Sequence, residues 1–217
     1  SYIGNGPYKM TAWSHNSEIV MKANENYWDK NWKPAVKEIH FKMNDDPTTG
    51  LNAFESGEYD FNDAVIPPAE LPKLIADKKT TPVDEIGTNY VIFNVKKPPL
   101  DNKKVRQALS LAIDRKFIVE KVMQGGQKTS NGFIPYGMPG AEPGKDFRAE
   151  DSTKYNSETA DIEGAKKLLA EAGFPDGQGI PELEYATNPG AANAQLAEAL
   201  QSMWAKIGIK VKVNTME

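Results

Sequence analysis

Cysteine is absent from the 217 residues, which removes disulfide frameworks, thiolate nucleophiles and cysteine-ligated zinc or iron–sulfur sites. The compartment stays open on this ground, because a cysteine-free chain suits the cytosol and an exported protein alike. Histidine is nearly as scarce, with two residues. His15 falls in a polar turn and His40 on the outward phase of a strand-like stretch. Neither has a partner at a ligand spacing such as HxxxH, so no metal site is expected. No apolar run approaches the roughly eighteen residues needed to span a bilayer. SYIGNGPYKM has neither the basic start nor the apolar stretch of a signal peptide, and with no initiating Met the chain reads as a processed product. Catalytic signatures are missing too: there is no G-x-S-x-G, no P-loop and no G-x-G-x-x-G behind a strand. GNGPY resembles a phosphate loop only loosely, since no helical pattern follows it. A formal charge of -4 and a pI near 5.4 offer no net attraction to a phosphate backbone, which argues against a nucleic-acid partner.

The remaining composition is that of a globular chain, with 39% apolar and 26% charged residues and a mean hydropathy of -0.58. The length fits one large domain or two small ones, such as two α/β lobes. From 7 to 43 the pattern is strand-like. Ile19, Met21 and Ala23 alternate with polar residues, as do Ile39, Phe41 and Met43, which is the period of half-buried antiparallel strands. Between them ANENYWDKNWKPA reads as a loop whose rings pack on the sheet. Asp46 before Pro47 predicts an N-cap and a short helix ending at Gly57. YDFND at 59–63 predicts a strand, IPPAELPKLIAD a second short helix, and VDEIGTNYVIFNV at 83–95 two β-rich pieces around Gly87 and Thr88.

The stretch FNVKKPPLDNKKVRQALSLAIDRK at 93–116 joins an apolar strand to a basic helix, and it reads either as an anion-binding element or as scaffold. Pro98 and Pro99 end the expected strand 89–95, and Asp101 or Asn102 caps the helix. Val105, Ala108, Leu109, Ala112 and Ile113 recur at i, i+3, i+4, i+7 and i+8, one buried face that leaves Lys103, Lys104, Arg106 and Gln107 outside. Asp114 recaps a second helix with Ile118, Val119, Val122 and Met123 inward, stopped by Gly125 and Gly126. Every apolar residue is explained by packing, so scaffold is the favoured reading.

Residues 127–160 show no periodicity, and loops of this length are usually functional or mobile. ADIEGAKKLLAEAGF then predicts a helix burying Ile162, Ala165, Leu168, Leu169 and Ala172. ELEYATN predicts a strand, AANAQLAEALQSMWAKIG a helix burying Leu196, Leu200, Met203 and Ile207, and IKVKVN a strand after Gly208. Strand, helix and strand in about thirty residues make a βαβ crossover with a parallel pair in a mixed sheet.

Acidic groups at Asp45 with Asp46, at Glu55, Glu58 and Asp60, and at Glu182 with Glu184 would allow glycoside hydrolysis if two carboxylates faced each other; caps and solvated charges are the favoured reading. Aromatic and amide residues placed in loops, Asn89, Tyr90, Asn94, Phe133, Tyr136, Tyr185 and Asn188, are the remaining ligand-facing candidates.

Seven segments carry a family resemblance: GNGPYKM, NENYWDK, LNAFESGEYDF, FNVKKPPLDNKKVRQALSLAIDRKFIVEKV, FIPYGMPG, AKKLLAEAGFPDG and MWAKIGIKVKVN, in that order from end to end. Together they resemble the middle of an extracytoplasmic peptide-binding protein, the oligopeptide or dipeptide receptor of an ABC importer. The resemblance implies an α/β fold of the type II periplasmic-binding-protein kind, with mixed sheets flanked by helices and truncated at both ends. It puts 1–86 in the first lobe and 87–217 in the second, with the crossing near Gly87 and Thr88. It implies a peptide held between lobes that close on a hinge, and a membrane permease as the partner that reads the closed form. The protein would lie in a periplasm or at the cell surface, touching the membrane only through a missing N-terminal anchor.

Thr88, Asn89, Tyr90 and Asn94 fall where the family strand runs along the cleft, and Phe133 and Tyr136 where they would wall a side-chain pocket. No catalytic step, cofactor or metal is implied. Alternatives within the family are a nickel complex, haem, a sugar or a signalling peptide as the ligand. Outside it stand the hydrolase and a folded interaction module that binds nothing small and exposes an apolar patch.

Overall fold

A computed structural model describes residues 3–62, 66–151 and 156–216. The chain divides into two compact units, Ser1–Ile66 and Pro67–Glu217.

In the first unit three strands, β1 (Tyr8–Ser14), β2 (Glu18–Ala23) and β3 (Glu38–Lys42), form an antiparallel sheet in that order. Cross-strand charge supports the register. On one face Glu18 lies 2.8 Å from both His40 and Lys42, and Lys22 lies 3.3 Å from Glu38. Lys42 and His40 hold the Glu18 carboxyl below its ordinary range. The expected half-burial holds for Ile39, but Phe41 and Met43 stay 51% and 40% exposed. Alternation assigns residues to faces, and a face is buried only where something packs on it. In the intervening loop, Trp32 meets Tyr8 edge-on at 5.7 Å and Tyr27 at 5.4 Å, so those rings pack together while Trp28 remains 73% exposed. Helix α1 (Pro47–Glu55) starts where expected, with the Asp46 carboxylate accepting from the Thr48 amide at 2.9 Å, and Gly57 stops it at a φ of 79°. The strand expected at 59–63 does not form over Tyr59–Asn62; Asp63 lies outside the described residues.

The second unit holds the main core. Helix α2 (Leu71–Ala76) follows the prolines as expected. Helix α3 (Lys103–Leu111) is capped by Asn102, whose side chain accepts from the Lys104 amide at 2.9 Å. Its five predicted residues are all buried, Val105, Ala108 and Ala112 completely. That burial is what the scaffold reading of 93–116 expects. Asp114 caps α4 (Arg115–Phe117), which widens into a π-helical turn over Ile118–Met123. The stop comes one residue early, at Gln124 with a φ of 50°, instead of at Gly125.

After the short α5 (Phe147–Glu150) comes α6 (Ile162–Glu171), capped by Asp161 and packed on α3 through Ala165 and Leu169. Strands β4 (Leu183–Thr187) and β5 (Val211–Thr215) pair in parallel across α7 (Ala191–Ala205), which is the predicted βαβ crossover. Leu200, Met203, Trp204 and Ile207 bury against α3 and β5, each worth about 1.5–3 kcal/mol of apolar burial. Tyr185, listed among the loop candidates, sits in β4 as the strand expected over ELEYATN places it, with its ring edge-on to Trp204 at 6.1 Å, and burial pushes its phenol above the ordinary range.

No ladder forms over 83–95, although the segment is extended. Val91 and Phe93 turn toward the core while Tyr90 and Ile92 stay 60% and 79% exposed. The period of two is present, but among the described residues no second strand lies alongside it.

Candidate functional site

The extended segment 82–94 runs beside the irregular stretch 126–137, and side-chain contacts join them at intervals. The two carboxylate oxygens of Asp84 each lie 3.0 Å from the Lys128 Nζ. Gly137, with a φ of 91°, brings its backbone within van der Waals reach of Ile86, where an added Cβ would stand 3.4 Å from the Ile86 side chain. Tyr90 and Phe133 then meet edge-on with centroids 4.9 Å apart and planes at 70°, the favoured geometry for two rings whose faces are electron-rich and edges electron-poor. Both are mostly exposed, Phe133 at 67%, so the pair forms a ridge with apolar flanks open to solvent.

The expected site residues thus divide. Tyr90 and Phe133 come together, and Tyr136 lies half exposed on the same loop at 49%. Asn89 is exposed between Thr88 and Tyr90. The Thr88 hydroxyl is shielded from solvent and has no hydrogen-bond partner among the described residues. Asn94 serves the chain itself: its Oδ1 accepts from the Lys96 amide at 3.2 Å and its carbonyl from the Lys97 amide at 3.1 Å, closing the turn before the prolines. Two concavities of about 480 Å³ each lie elsewhere, one beside Pro98 and Phe174 and one between the π-helical turn and α7. Neither is lined by Thr88, Asn89, Tyr90, Asn94, Phe133 or Tyr136. Asp46, one of the acidic candidates, is committed to capping α1 and its carboxyl is held below the ordinary range by the Thr48 amide.

Sequence patterns give no hint of what holds the loop in place. Arg148 in α5 is 7% exposed, and its Nε donates to the Ile134 carbonyl at 2.8 Å while Nη1 reaches Asp151 at 3.2 Å. Asp146 caps α5 through the Arg148 amide at 2.7 Å and also accepts from the Gly137 amide. Glu150 accepts from the Ala141 and Glu142 amides at 2.8 and 3.1 Å. Three charged residues of one turn thereby serve the backbone of 134–142. The only signal available in the sequence was the Asp146 cap two residues ahead of Arg148, because the loop's contribution consists of carbonyls and amides that any residue supplies.

One consequence is pH dependence. The Gly137 amide, followed by those of Arg148 and Ala149, holds the Asp146 carboxyl below its ordinary 3.8. A carboxyl depressed on folding contributes stability above its unfolded value and loses it as pH falls through the folded one. The turn at 137–147 is therefore expected to stay closed above pH 3.8 and to loosen below it. The protection of the Gly137 amide, the intrinsic rate at each pH divided by its exchange rate, should fall there in the natural chain and show no such step in Asp146→Asn.

Comparison with known proteins covers the whole chain. Residues 1–217 match the model of the bacterial extracellular solute-binding proteins, family 5 middle region. The oligopeptide-binding protein of Bacillus subtilis is 34% identical over 220 residues, covering 100% of this chain and 39% of that protein. Haem-binding protein A of Haemophilus influenzae is 32% identical, covering 99% of this chain and 38% of its own length. The crystal structure of a periplasmic oligopeptide-binding protein from Borrelia burgdorferi superposes with a TM-score of 0.79 at 30% identity, over 98% of this chain and 40% of that one. The chain thus spans about two fifths of the length of the relatives it matches. An α/β chain with this order of helices and strands, matched along its whole length, belongs to the bacterial extracellular solute-binding proteins of family 5.

Proposed function

We propose that this chain forms part of the peptide-binding subunit of an ABC importer and contributes one wall of the ligand cleft. The observation that carries the reading is the segment 88–94: extended, alternating in burial from Tyr90 to Asn94, without a ladder partner among the described residues, and bearing the exposed Tyr90–Phe133 pair. Such a backbone offers amides and carbonyls to an extended peptide, which gives affinity with little dependence on sequence, and the rings offer an apolar wall to a side chain. In this reading Thr88, Asn89 and Tyr90 line the ligand, Phe133 and Tyr136 wall a pocket, and Asn94 shapes the strand end. The lobes run over 1–86 and 87–217, they close on the peptide, and a membrane permease recognises the closed form. The protein works outside the cytoplasm, in a periplasm or anchored at the surface, and it releases its ligand unchanged.

A second reading keeps the surface and changes the ligand to haem, supported by the similarity to a haem-binding protein. Native mass spectrometry of the chain with a pool of random di- to pentapeptides, and separately with haem, decides between them. Peptide adducts that weaken about tenfold in Tyr90→Ala and Phe133→Ala, the effect of losing roughly 1.4 kcal/mol of contact, would support the proposal. Haem adducts without peptide adducts would replace it with the second reading.

A further inference from the structure

Arg148 is a buried cation with one half-buried carboxylate partner. Its side chain is 2% exposed, and its carboxylate partner Asp151, at 3.2 Å, is 23% exposed. Burying a guanidinium costs free energy unless its donors are satisfied, and an apolar side chain would fill the same space at lower cost. What an apolar side chain lacks is a set of donors in fixed directions. Here one donor is aimed at the loop bearing Phe133 and another at Asp151. Nε donates to the carbonyl of Ile134, the next residue, at 2.8 Å. The guanidinium also lies against Gly132, the preceding residue, so closely that a Cβ there would overlap Nη2 and stand 2.7 Å from Cζ. The Arg148 Cζ also lies over the Phe147 ring, 5.7 Å from the centroid. The two neighbours of Phe133 are therefore both gripped by one planar group. Just upstream the Ser130 hydroxyl donates to the Gly132 carbonyl, which tightens the approach.

We infer that Arg148 is a positioning residue: its guanidinium clamps the backbone on both sides of Phe133 and so presents that ring, edge to face, to Tyr90 as a rigid wall of the ligand surface. The inference rests on the proposed peptide site for its purpose, but the clamp itself is a property of the ligand-free chain. A ring held in one place meets its ligand without first giving up rotational and loop freedom, a saving that appears as affinity. Lysine cannot substitute fully, since a point ammonium has no planar group with donors in fixed directions to reach Ile134 and Asp151 together.

The test uses the whole chain with selectively labelled Tyr and Phe. In the absence of ligand, the natural protein should show a strong Overhauser contact between the Tyr90 and Phe133 rings. The Arg148 Nε–H should exchange at least about tenfold more slowly than that of free arginine. Arg148→Met should lose the ring contact while far-ultraviolet circular dichroism is unchanged, and Arg148→Lys should restore it only in part. Gly132→Ala, which keeps the arginine but evicts its guanidinium, should lose the contact as Arg148→Met does.

An unprotected Nε–H in the natural protein, or a ring contact that survives both Arg148→Met and Gly132→Ala, overturns the clamp. The Nε–H measurement decides the matter even if the variants fail to fold. Peptide affinity is then read separately. A loss of about tenfold in Arg148→Met supports the role in binding, and unchanged affinity after loss of the ring contact removes that role. A natural chain that binds no peptide overturns the proposed function and leaves the ring contact to decide the clamp alone.

Discussion

Trp204→Ala is expected to destabilise the second unit by about 4–5 kcal/mol, near the upper end for removal of a large aromatic from a core. Trp204 is 3% exposed on α7 and packs among the buried residues of α3 and β5. Two losses combine. The first is the ring itself, whose removal leaves a cavity that neighbours on three elements cannot all move to fill. The second is the hydrogen bond from Nε1 to the Leu109 carbonyl at 2.9 Å, which joins α7 to α3 inside the core and whose acceptor would be left without a protein partner. A buried acceptor stripped of its donor costs about 1–3 kcal/mol. Against a typical domain stability of about 5–15 kcal/mol, the combined loss brings the unit close to unfolding at ordinary temperature. Trp204→Phe separates the two, since it keeps most of the volume and removes the donor, and a loss of about 1–3 kcal/mol is expected. Urea denaturation followed by far-ultraviolet circular dichroism measures both. A loss under about 1.5 kcal/mol in Trp204→Ala would show that α7 and α3 are not joined through this ring.

Much of that core is legible in the amino-acid sequence. The apolar stripe of α3, the caps at Asn102 and Asp114 and the crossover from β4 through α7 to β5 are set by local rules. A helix period of 3.6 and a side-chain acceptor at the first turn are visible within a dozen residues. The expectations that failed depend on partners distant in the chain. The composition of 83–95 specifies an extended backbone, and the structure has one, but a ladder requires a second strand and the composition of one strand does not contain it. Phe41 and Met43 sit on the phase expected for buried residues, yet phase says only which face they share, not whether that face is covered. At 59–62 the two aromatic residues, Tyr59 and Phe61, are too few to outweigh the turn that follows α1.

The site is legible in a different sense. Tyr90 and Phe133 are singled out by resemblance to a family, and their contact at 4.9 Å joins residues forty-three positions apart, which no pattern along the chain could reveal. Asn94 shows the reverse case: a residue eligible for ligand binding by type is used, for its side-chain oxygen, in an ordinary turn. Arg148 is hard to see in the sequence because the partner that ties it to the loop is a backbone carbonyl. An arginine in a polar stretch reads as solvated unless its acceptors can be named, and here they are the Ile134 carbonyl and the Asp151 carboxylate, with room left for the guanidinium by the missing side chain of Gly132.

Gly208→Ala is expected to destabilise the same unit by about 3–5 kcal/mol, from a single added methyl group. Gly208 links α7 to β5 with a φ of 79°, a conformation that costs an L-residue about 1–2 kcal/mol by itself. The larger part comes from contact. A Cβ at Gly208 would overlap the Asp176 carbonyl oxygen and stand 2.7 Å from its carbon, and a Cβ at Gly177 would stand 2.6 Å from the Gly208 oxygen. Two turns, one after α6 and one after α7, thus meet backbone to backbone. Relief must come from moving main chain. The residues on either side of Gly208 are Ile207 and Ile209, buried to 0% and 1% exposure, so any shift withdraws core side chains. Gly173→Ala provides the control: it has a φ of 90° and nothing within 4 Å of its missing Cβ, so only the conformational cost of about 1–2 kcal/mol applies. The difference between the two variants in urea midpoint isolates the backbone contact. Equal losses would mean that the turns have room to part, and that the glycine at 208 is required by its φ alone.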